Sequence, residues 1–192
     1  IIHSINTIKK LKNIKPIYGT EIDIRSKGSQ LILNHEPFQN GDNFENYLDE
    51  YHHGTLILNI KEHGIEKEVL RLLKIRPHIK KYFMLDVEFP FIIKSLDNNA
   101  KRIAMRFSKY EDIETIKHFI GRIDWVWIDT YKLLSFSKEA IKILKKFKTC
   151  LVCPERWGMV NSIGYYKRAF MDLDFNYDAV MTNFKCVKYW EE

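Results

Sequence analysis

Residues 19–38, GTEIDIRSKGSQLILNHEPF, contain two short apolar runs separated by a polar connection. The runs lie at 19–24 and 30–35, and the connection RSKGS between them is too short for a crossover helix. We therefore expect the two runs to form a β-hairpin. The first run carries Glu21 and Asp23 on alternate positions, so both carboxylates should face the same side of the strand.

Outside this stretch, short apolar runs alternate with patterns of helical period. Runs of strand type lie at 1–3, 19–24, 30–35, 55–61, 82–86, 102–108, 125–129, 149–155 and 178–183. Helical patterns lie between most of them, at 6–13, 43–51, 64–75, 89–96, 110–120, 137–147 and 161–172. Nine runs minus the hairpin return strand leave eight, which predicts a compact (β/α)8 TIM barrel with a β-hairpin extension after strand 2.

An open doubly wound sheet is the alternative fold of the α/β class. We disfavour it because no Gly-rich phosphate loop follows the first strand. No linker rich in Pro, Gly or Ser divides the chain, so we expect a single domain over residues 1–192.

The chain has 192 residues and a formal net charge of +6. Its lysines fall mostly in helical patterns such as KEAIKILKKFK, which we interpret as solvated helix faces. No basic stripe interleaved with aromatic residues marks a nucleic-acid groove, so we expect no nucleic-acid partner. A basic surface would still attract anionic substrates.

The apolar runs are much shorter than the roughly 20 residues that a membrane-spanning helix needs, so no transmembrane segment is expected. Charges interrupt the stretch IIHSINTIKKLK, where a signal peptide would be apolar, and we expect a cytoplasmic protein. The sequence does not indicate the oligomeric state.

The carboxyl ends of the predicted strands are rich in polar side chains. They carry His3, Glu21, Asp23, Asn59, Lys61, Asp86, Arg106, Asp129, Glu155, Thr182 and Asn183. Barrel enzymes place their chemistry at this end of the strands, so the pattern predicts a site at one mouth of a barrel.

The adjacent carboxylates of Glu21 and Asp23 would repel each other inside a barrel, and burying both is costly. A hard divalent cation, Mg²⁺ or Ca²⁺, would remove that cost, and oxygen ligands suit such ions. A structural ion pair of Glu21 with Lys61 or Arg25 explains the spacing equally well. His3 ends the first predicted strand, beside the second, and His35 ends the hairpin return strand, so both rings could lie near the carboxylates. This indicates a general acid and a general base, although a structural role for either ring stays open.

The motifs together resemble the glycerophosphodiester phosphodiesterase family, part of the phosphatidylinositol-phospholipase-C-like phosphodiesterase TIM-barrel superfamily. The resemblance rests on His3 with Asn6 and Thr7, the E-x-D of Glu21 and Asp23, LILNHEP ending on His35, N-I-K at 59–61, and DAVMTN at 178–183.

The resemblance implies a metal-dependent phosphodiester hydrolase that acts on a small-molecule phosphodiester with a hydroxyl next to the phosphate. It implies a divalent cation held by Glu21, Asp23 and Asn59, with His3 and His35 as acid and base. The candidates for binding the phosphate or the rest of the substrate are Lys61, Arg106, Glu155 and Trp157, the last because it lies in a loop just past a strand end.

Two departures from the family pattern affect the implied site. Ser4 stands where the family has an arginine, so Lys61 or Arg106 would have to supply positive charge for the phosphate. Asn59 stands where the family has a glutamate, which removes one negative charge and predicts weaker metal binding.

Two other functions stay open at this point. A non-catalytic barrel could bind a phosphorylated sugar or a lipid head group in the altered site. A Schiff-base enzyme could use Lys61 as its nucleophile.

Overall fold

The protein is described by a computed structural model that covers residues 1–96, 101–131 and 135–191. The chain forms two compact units, Ile1–Lys94 and Ser95–Glu192, and each is described by itself. The single domain expected over residues 1–192 stays a prediction.

The first unit contains a five-stranded mixed sheet with the order β3-β2-β1-β4-β5. Its strands are β1 (Thr20–Lys27), β2 (Gln30–Leu33), β3 (Asp42–Asn43), β4 (Leu56–Ile60) and β5 (Tyr82–Leu85). β1, β4 and β5 are parallel, whereas β2 and β3 run antiparallel. The predicted hairpin is confirmed, because Ile24 pairs with Leu33 and Lys27 with Gln30 across the β1–β2 turn.

The predicted strand at 1–3 is reduced to one isolated parallel bridge between Ile2 and Thr20. The Ile2 N–H donates to the Gly19 carbonyl at 2.8 Å, and the Glu21 N–H donates to the Ile2 carbonyl at 2.8 Å. The chain then turns at Ser4, whose φ of 56° lies in the left-handed region and ends regular pairing. The first residues therefore lie along β1, next to Glu21.

The second unit contains a four-stranded parallel sheet with the order β6-β7-β8-β9. Its strands are β6 (Ala104–Phe107), β7 (Trp125–Ile128), β8 (Lys148–Val152) and β9 (Ala179–Met181). Short 3₁₀ turns follow β8 and β9, at Pro154–Trp157, Val160–Ser162 and Phe184–Cys186.

Helices alternate with the strands as the sequence pattern predicts. They are α1 (Ile8–Leu11), α2 (Phe44–Asp49), α3 (Glu66–Lys74), α4 (Phe89–Leu96), α5 (Ile113–Lys117), α6 (Lys138–Leu144), α7 (Ile163–Asp172) and α8 (Lys188–Glu191). In α3, the buried residues Val69, Leu72 and Leu73 follow helical spacing and form its packed face. Within the described residues, no helix is long and apolar enough to cross a membrane.

The first unit contains four mutually parallel segments, the Ile2 bridge, β1, β4 and β5. The second unit contains four parallel strands, β6 to β9, and the two sets together match the predicted count of eight. Their closure into one barrel stays a prediction. All five residues of β4 are buried, which explains its nearly continuous apolar sequence. Asn59 is the one polar residue in that strand, and it marks the site described next.

Candidate active site on β1 and β4

The pairing of β1 with β4 brings three polar side chains to one face of the first sheet. Asp23 lies opposite Asn59 in the parallel register, and Glu21 lies two residues earlier on the same face as Asp23. All three are nearly inaccessible, with exposed fractions of 2% for Glu21, 1% for Asp23 and 6% for Asn59. Their predicted role as a shared set of metal ligands stays a prediction.

Both carboxylate oxygens of Glu21 accept hydrogen bonds. The Ser4 N–H donates to Oε2 at 2.8 Å, and Asn59 Nδ2 donates to Oε1 at 2.9 Å. His3 Nε2 lies 3.9 Å from Oε2. The turn at Ser4 thus positions both a backbone donor and an imidazole beside this one carboxylate.

Glu21 is held where its charge is unfavourable. Burial raises its pKa to about 7, and repulsion by Asp23 adds to the rise. The hydrogen bonds from Asn59 and Ser4 and the charge of Lys61 oppose the shift without cancelling it. Near neutral pH, Glu21 therefore exists in both protonation states.

Asp23 has a different set of partners. Lys61 Nζ lies 3.3 Å from its Oδ1, and Asn6 Nδ2 donates to its Oδ2 at 2.7 Å. The Asn6 side chain also accepts the Asp23 backbone N–H at 2.8 Å. Asn6 therefore holds both the side chain and the backbone of Asp23.

Lys61 lies between two carboxylates, with its Nζ 3.3 Å from Asp23 Oδ1 and 3.7 Å from Asp86 Oδ2. These are the partners of an ammonium ion, which has no lone pair for nucleophilic attack. The arrangement disfavours the Schiff-base interpretation of Lys61 and agrees with the ion-pair alternative, although the partner is Asp23 rather than Glu21.

One atom of this site lacks a partner. Asn59 Oδ1 is buried and makes no hydrogen bond, although the amide nitrogen of the same side chain donates to Glu21. A buried amide oxygen left unpaired is costly, and it is also an oxygen that a hard cation could use. With the carboxylates of Glu21 and Asp23, it completes the donor set that the sequence predicts for Mg²⁺ or Ca²⁺.

The fit to a cation depends on this amide oxygen. Among residues 1–96, 101–131 and 135–191, no three His, Cys, Asp or Glu side chains cluster so that they could hold a metal ion. A cation at Glu21, Asp23 and Asn59 would also compete with Lys61 for Asp23. The donor chemistry fits a divalent ion, with only two formal negative charges to bind it.

His35 follows the hairpin strand β2 and is half exposed. Its Nδ1 lies 2.6 Å from Glu36 Oε1, and its carbonyl accepts hydrogen bonds from the Arg25 guanidinium at 2.9 and 3.1 Å. Arg25 also donates to the Lys61 carbonyl at 3.0 Å, which ties the end of the hairpin to the end of β4. No described hydrogen bond or ion pair joins the His35 ring to Glu21 or Asp23, so its catalytic role stays a prediction.

Arg106 and Glu155 lie in the second unit and have their own partners. Arg106 pairs with Asp129 at the end of β7 and lies 3.6 Å from Glu111 Oε1. Glu155 is buried, and its Oε1 accepts hydrogen bonds from Thr182 and, at 3.3 Å, from Trp190 Nε1. Both contacts are compatible with structural roles, and the predicted roles in substrate binding stay predictions.

Trp157 is more than one-third exposed, in the 3₁₀ turn after β8. Its ring packs edge-on against Tyr131 with centroids 4.9 Å apart, and the Arg156 guanidinium lies 5.5 Å from its centroid. The sequence indicated that Trp157 lies just past a strand end, and its position after β8 agrees with this. Contact with a substrate stays a prediction.

Sequence reasoning did not assign site roles to three residues that touch this cluster: Ser4, Asn6 and Asp86. Ser4 acts through its backbone N–H, which no side-chain pattern reveals. Asn6 could have been found from its position in the motif that carries the resemblance. Asp86 was noted as a polar strand end, and its φ of 55° turns the chain immediately after β5.

No protein-family model matches the chain, and no curated protein matches it. Among solved structures, it is similar to a crystal structure from Agrobacterium tumefaciens that is provisionally named a glycerophosphoryl diester phosphodiesterase. The similarity has a TM-score of 0.65 at 9% sequence identity and covers 94% of this chain and 92% of that chain. At this identity the similarity concerns the fold alone. The chain therefore shares the α/β fold of that protein.

Proposed function

We propose that this protein is a metal-dependent phosphodiester hydrolase of the glycerophosphodiester phosphodiesterase type, built as a closed (β/α)8 barrel. The observation that carries the proposal is the buried cluster of Glu21, Asp23 and Asn59 with an unpaired amide oxygen. Burying two carboxylates and an unpaired amide oxygen together destabilises the folded state, so the cluster is better explained by a function than by a contribution to stability. The shared fold supports the same assignment.

Glu21, Asp23 and Asn59 are the residues that would hold the cation. When bound, Mg²⁺ or Ca²⁺ would polarise a phosphoryl oxygen and the hydroxyl next to the phosphate. Lys61 would contribute positive charge near the phosphate, since its ammonium already lies at the edge of the cluster. This role would replace the arginine that is absent at Ser4.

Two histidines would move the protons. The hydroxyl oxygen next to the phosphate forms a bond to phosphorus while the bond from phosphorus to the leaving alcohol breaks. One of His3 and His35 accepts the hydroxyl proton, and the other gives a proton to the leaving oxygen. The product is a cyclic phosphodiester, which water then opens to a phosphomonoester.

A non-catalytic phosphate-binding protein is the second candidate, and one specific observation favours it. Lys61 already neutralises Asp23, and Asn59 already donates to Glu21, so the cluster is largely balanced without a cation. A protein that only binds a phosphorylated sugar or lipid head group would need no more than that. Turnover separates the two candidates.

The test is release of p-nitrophenol from the p-nitrophenyl ester of glycerol phosphate, which retains the neighbouring hydroxyl. We expect turnover with Mg²⁺ or Ca²⁺, none in EDTA, and a loss of about 100-fold or more in kcat/KM for Asp23→Asn, His3→Gln and His35→Gln. Glu139→Gln on α6 and His118→Asn at the C-cap of α5 are the matched controls, and both exposed substitutions should leave turnover unchanged. Saturable binding of the ester without turnover would favour the second candidate.

A further inference from the structure

A polar cavity lies in the first unit, beside the connections that enter β4 and β5. It has a volume of about 350 Å³, and its lining includes Tyr51, His52, His53, His78, Lys80 and Lys81. These residues come from the connections that precede β4 and β5, whereas Asn59 lies near the carboxyl end of β4 and Asp23 is paired beside it on β1. We name this cavity the basal pocket.

The histidine rings of the basal pocket are held by backbone carbonyls. His53 Nε2 lies 3.0 Å from the Ile14 carbonyl, and His78 Nε2 lies 3.1 Å from the Leu48 carbonyl. A carbonyl oxygen only accepts, so each Nε2 must carry the hydrogen. Any further proton taken up by these rings must go to Nδ1.

The Nδ1 atom of His53 is buried and lacks a hydrogen-bond partner. A buried ring nitrogen without a partner calls for an explanation, such as a bound ligand. If His53 becomes protonated, its ring carries a positive charge that needs a counter-ion. An anion in the basal pocket would balance that charge.

The charges around the basal pocket favour an anion. Lys80 and Lys81 contribute two ammonium groups, and no Asp or Glu is among the described residues that line it. The rings of His52 and His78 lie 5.3 Å apart, so their protonation together would be unfavourable without a counter-ion.

Asp49, the last residue of α2, lies close to His78. Asp49 interacts with His78, but its carboxylate is bound by the Arg76 guanidinium at 2.7 and 3.2 Å, and Arg76 is the main cause of its lowered pKa. Asp49 is therefore largely neutralised by Arg76. The remaining titratable group in the lining is Tyr51, whose hydroxyl donates to the Gly54 carbonyl at 2.9 Å and whose pKa burial raises.

We propose that the basal pocket binds a tetrahedral oxyanion of the phosphate class, held by the ammonium groups of Lys80 and Lys81, with positive charge added by protonation of the histidine rings that line it. The volume exceeds that of a bare phosphate and lies at the lower end of small-ligand sites, so a small phosphomonoester fits as well as the free ion. Binding should take up protons on the histidines and therefore strengthen as the pH falls.

The experiment follows the ring Cε1–H resonances of His53 and His78 in the labelled full chain by NMR. Inorganic phosphate and glycerol phosphate are titrated separately at constant ionic strength, which distinguishes the free ion from the ester. We expect saturable shifts at both rings, and affinity at least fivefold weaker in a Lys80→Gln, Lys81→Gln double variant. Lys74→Gln and His118→Asn, which lie outside the pocket, serve as matched controls and should bind as the wild type does.

The pH arm uses sulfate, because its charge stays constant between pH 6 and pH 8. We expect binding at least fivefold tighter at pH 6 than at pH 8. Shifts that do not saturate, an affinity unchanged by the double lysine substitution, or a sulfate affinity independent of pH would each overturn the proposal.

Discussion

Glu21 is the residue at which burial and charge conflict most strongly. Its carboxylate accepts hydrogen bonds from the Ser4 N–H and from Asn59 Nδ2. Burial and the neighbouring Asp23 nevertheless raise its pKa to about 7. A glutamate with this pKa can lose its proton when a cation arrives and regain it when the cation leaves. The cost of keeping it in the native state should be measurable as a pH dependence of stability.

The first prediction concerns this pH dependence in EDTA. An unfolded Glu21 releases its proton near its ordinary pKa of 4.5, whereas the folded one holds it to about 7. Between these values the native state binds more protons, so the free energy of unfolding should fall as the pH rises, by roughly 3 kcal/mol in all. Glu21→Gln should lack this decrease.

Denaturant unfolding of the wild type and Glu21→Gln at pH 4.5 to 8 measures the difference. The same substitution at the exposed Glu139 is the control, because it should leave the wild-type slope unchanged. Parallel curves for the wild type and Glu21→Gln would contradict the burial argument.

The second prediction concerns Asn59, whose buried Oδ1 has no hydrogen-bond partner and is therefore a candidate ligand for a cation. Asn59→Asp restores a third carboxylate, which should raise the affinity for Mg²⁺ or Ca²⁺ by about tenfold, since affinity follows the charge of the ligand set. In EDTA the same variant should be less stable than the wild type, because three acids would be buried together. Calorimetric titration checks the affinity.

Asn59→Leu, which removes the amide oxygen, should bind the cation more weakly than the wild type does. Equal affinities would exclude Asn59 as a ligand.

At the residue scale, alternation along β1 predicted that Glu21 and Asp23 share a face, because side chains on a strand alternate strictly. The same reasoning placed Asn59 and Lys61 together on β4. It could not predict that Lys61 contacts Asp23 and Asp86, since a long flexible side chain selects its partner in three dimensions. Nor could it predict the Ser4 N–H, because a backbone donor depends on a local left-handed turn.

At the scale of elements, the spacing between β1 and β4 decides whether the acid cluster can form. Gly19 immediately precedes β1, and a Cβ there would lie 2.1 Å from the Thr55 carbonyl oxygen. The absence of a side chain at this position lets the two strands approach closely. Asp23 and Asn59 are then brought opposite each other.

The third prediction compares two glycine substitutions. Gly19→Ala should reduce the free energy of unfolding by about 3 kcal/mol, because the backbone of Thr55 must move to relieve the overlap. Gly28→Ala has open space around its Cβ, so only the left-handed φ of 60° is unfavourable, and the free energy of unfolding should fall by about 1 kcal/mol. Denaturant unfolding of both variants gives the comparison. Equal losses would show that the β1–β4 contact is not tight.

The hairpin was the element most securely predicted, because a connection too short for a helix leaves few alternatives. Its boundary was less predictable: β1 continues to Lys27, through residues whose polarity suggested a loop. Those residues are polar because the end of β1 is exposed to solvent. Next to this hairpin, Asn43 caps α2, and Asp42 accepts the Ile8 N–H at the start of α1.

At the scale of the whole molecule, the two compact units raise the question of whether the chain folds as the single domain expected from its sequence. All four tryptophans lie in the second unit, so their fluorescence reports that unit alone, whereas far-ultraviolet circular dichroism reports both. The fourth prediction is that both signals change together in one denaturant transition. Two separate midpoints would show that the units unfold independently.

The four parallel segments of each unit could be counted in the sequence because buried strands are continuous apolar runs. Their closure could not be settled in the same way, since the apolar pattern of a strand is similar in an open sheet and in a barrel. Activity is likewise a property of the whole molecule. The predicted site residues lie in both units, and turnover tests them together.

The most direct test of the central claim is a ³¹P NMR time course of a glycerophosphodiester with the wild-type protein and Mg²⁺ or Ca²⁺ at pH 7.5. The proposed reaction predicts a transient resonance of a five-membered cyclic phosphate, followed by a phosphomonoester. It also predicts no reaction of a diester that lacks the neighbouring hydroxyl, and none with Asp23→Asn. An unchanged substrate resonance at stoichiometric protein with either cation, while the protein remains folded, would contradict the claim that this cluster is a phosphodiesterase centre.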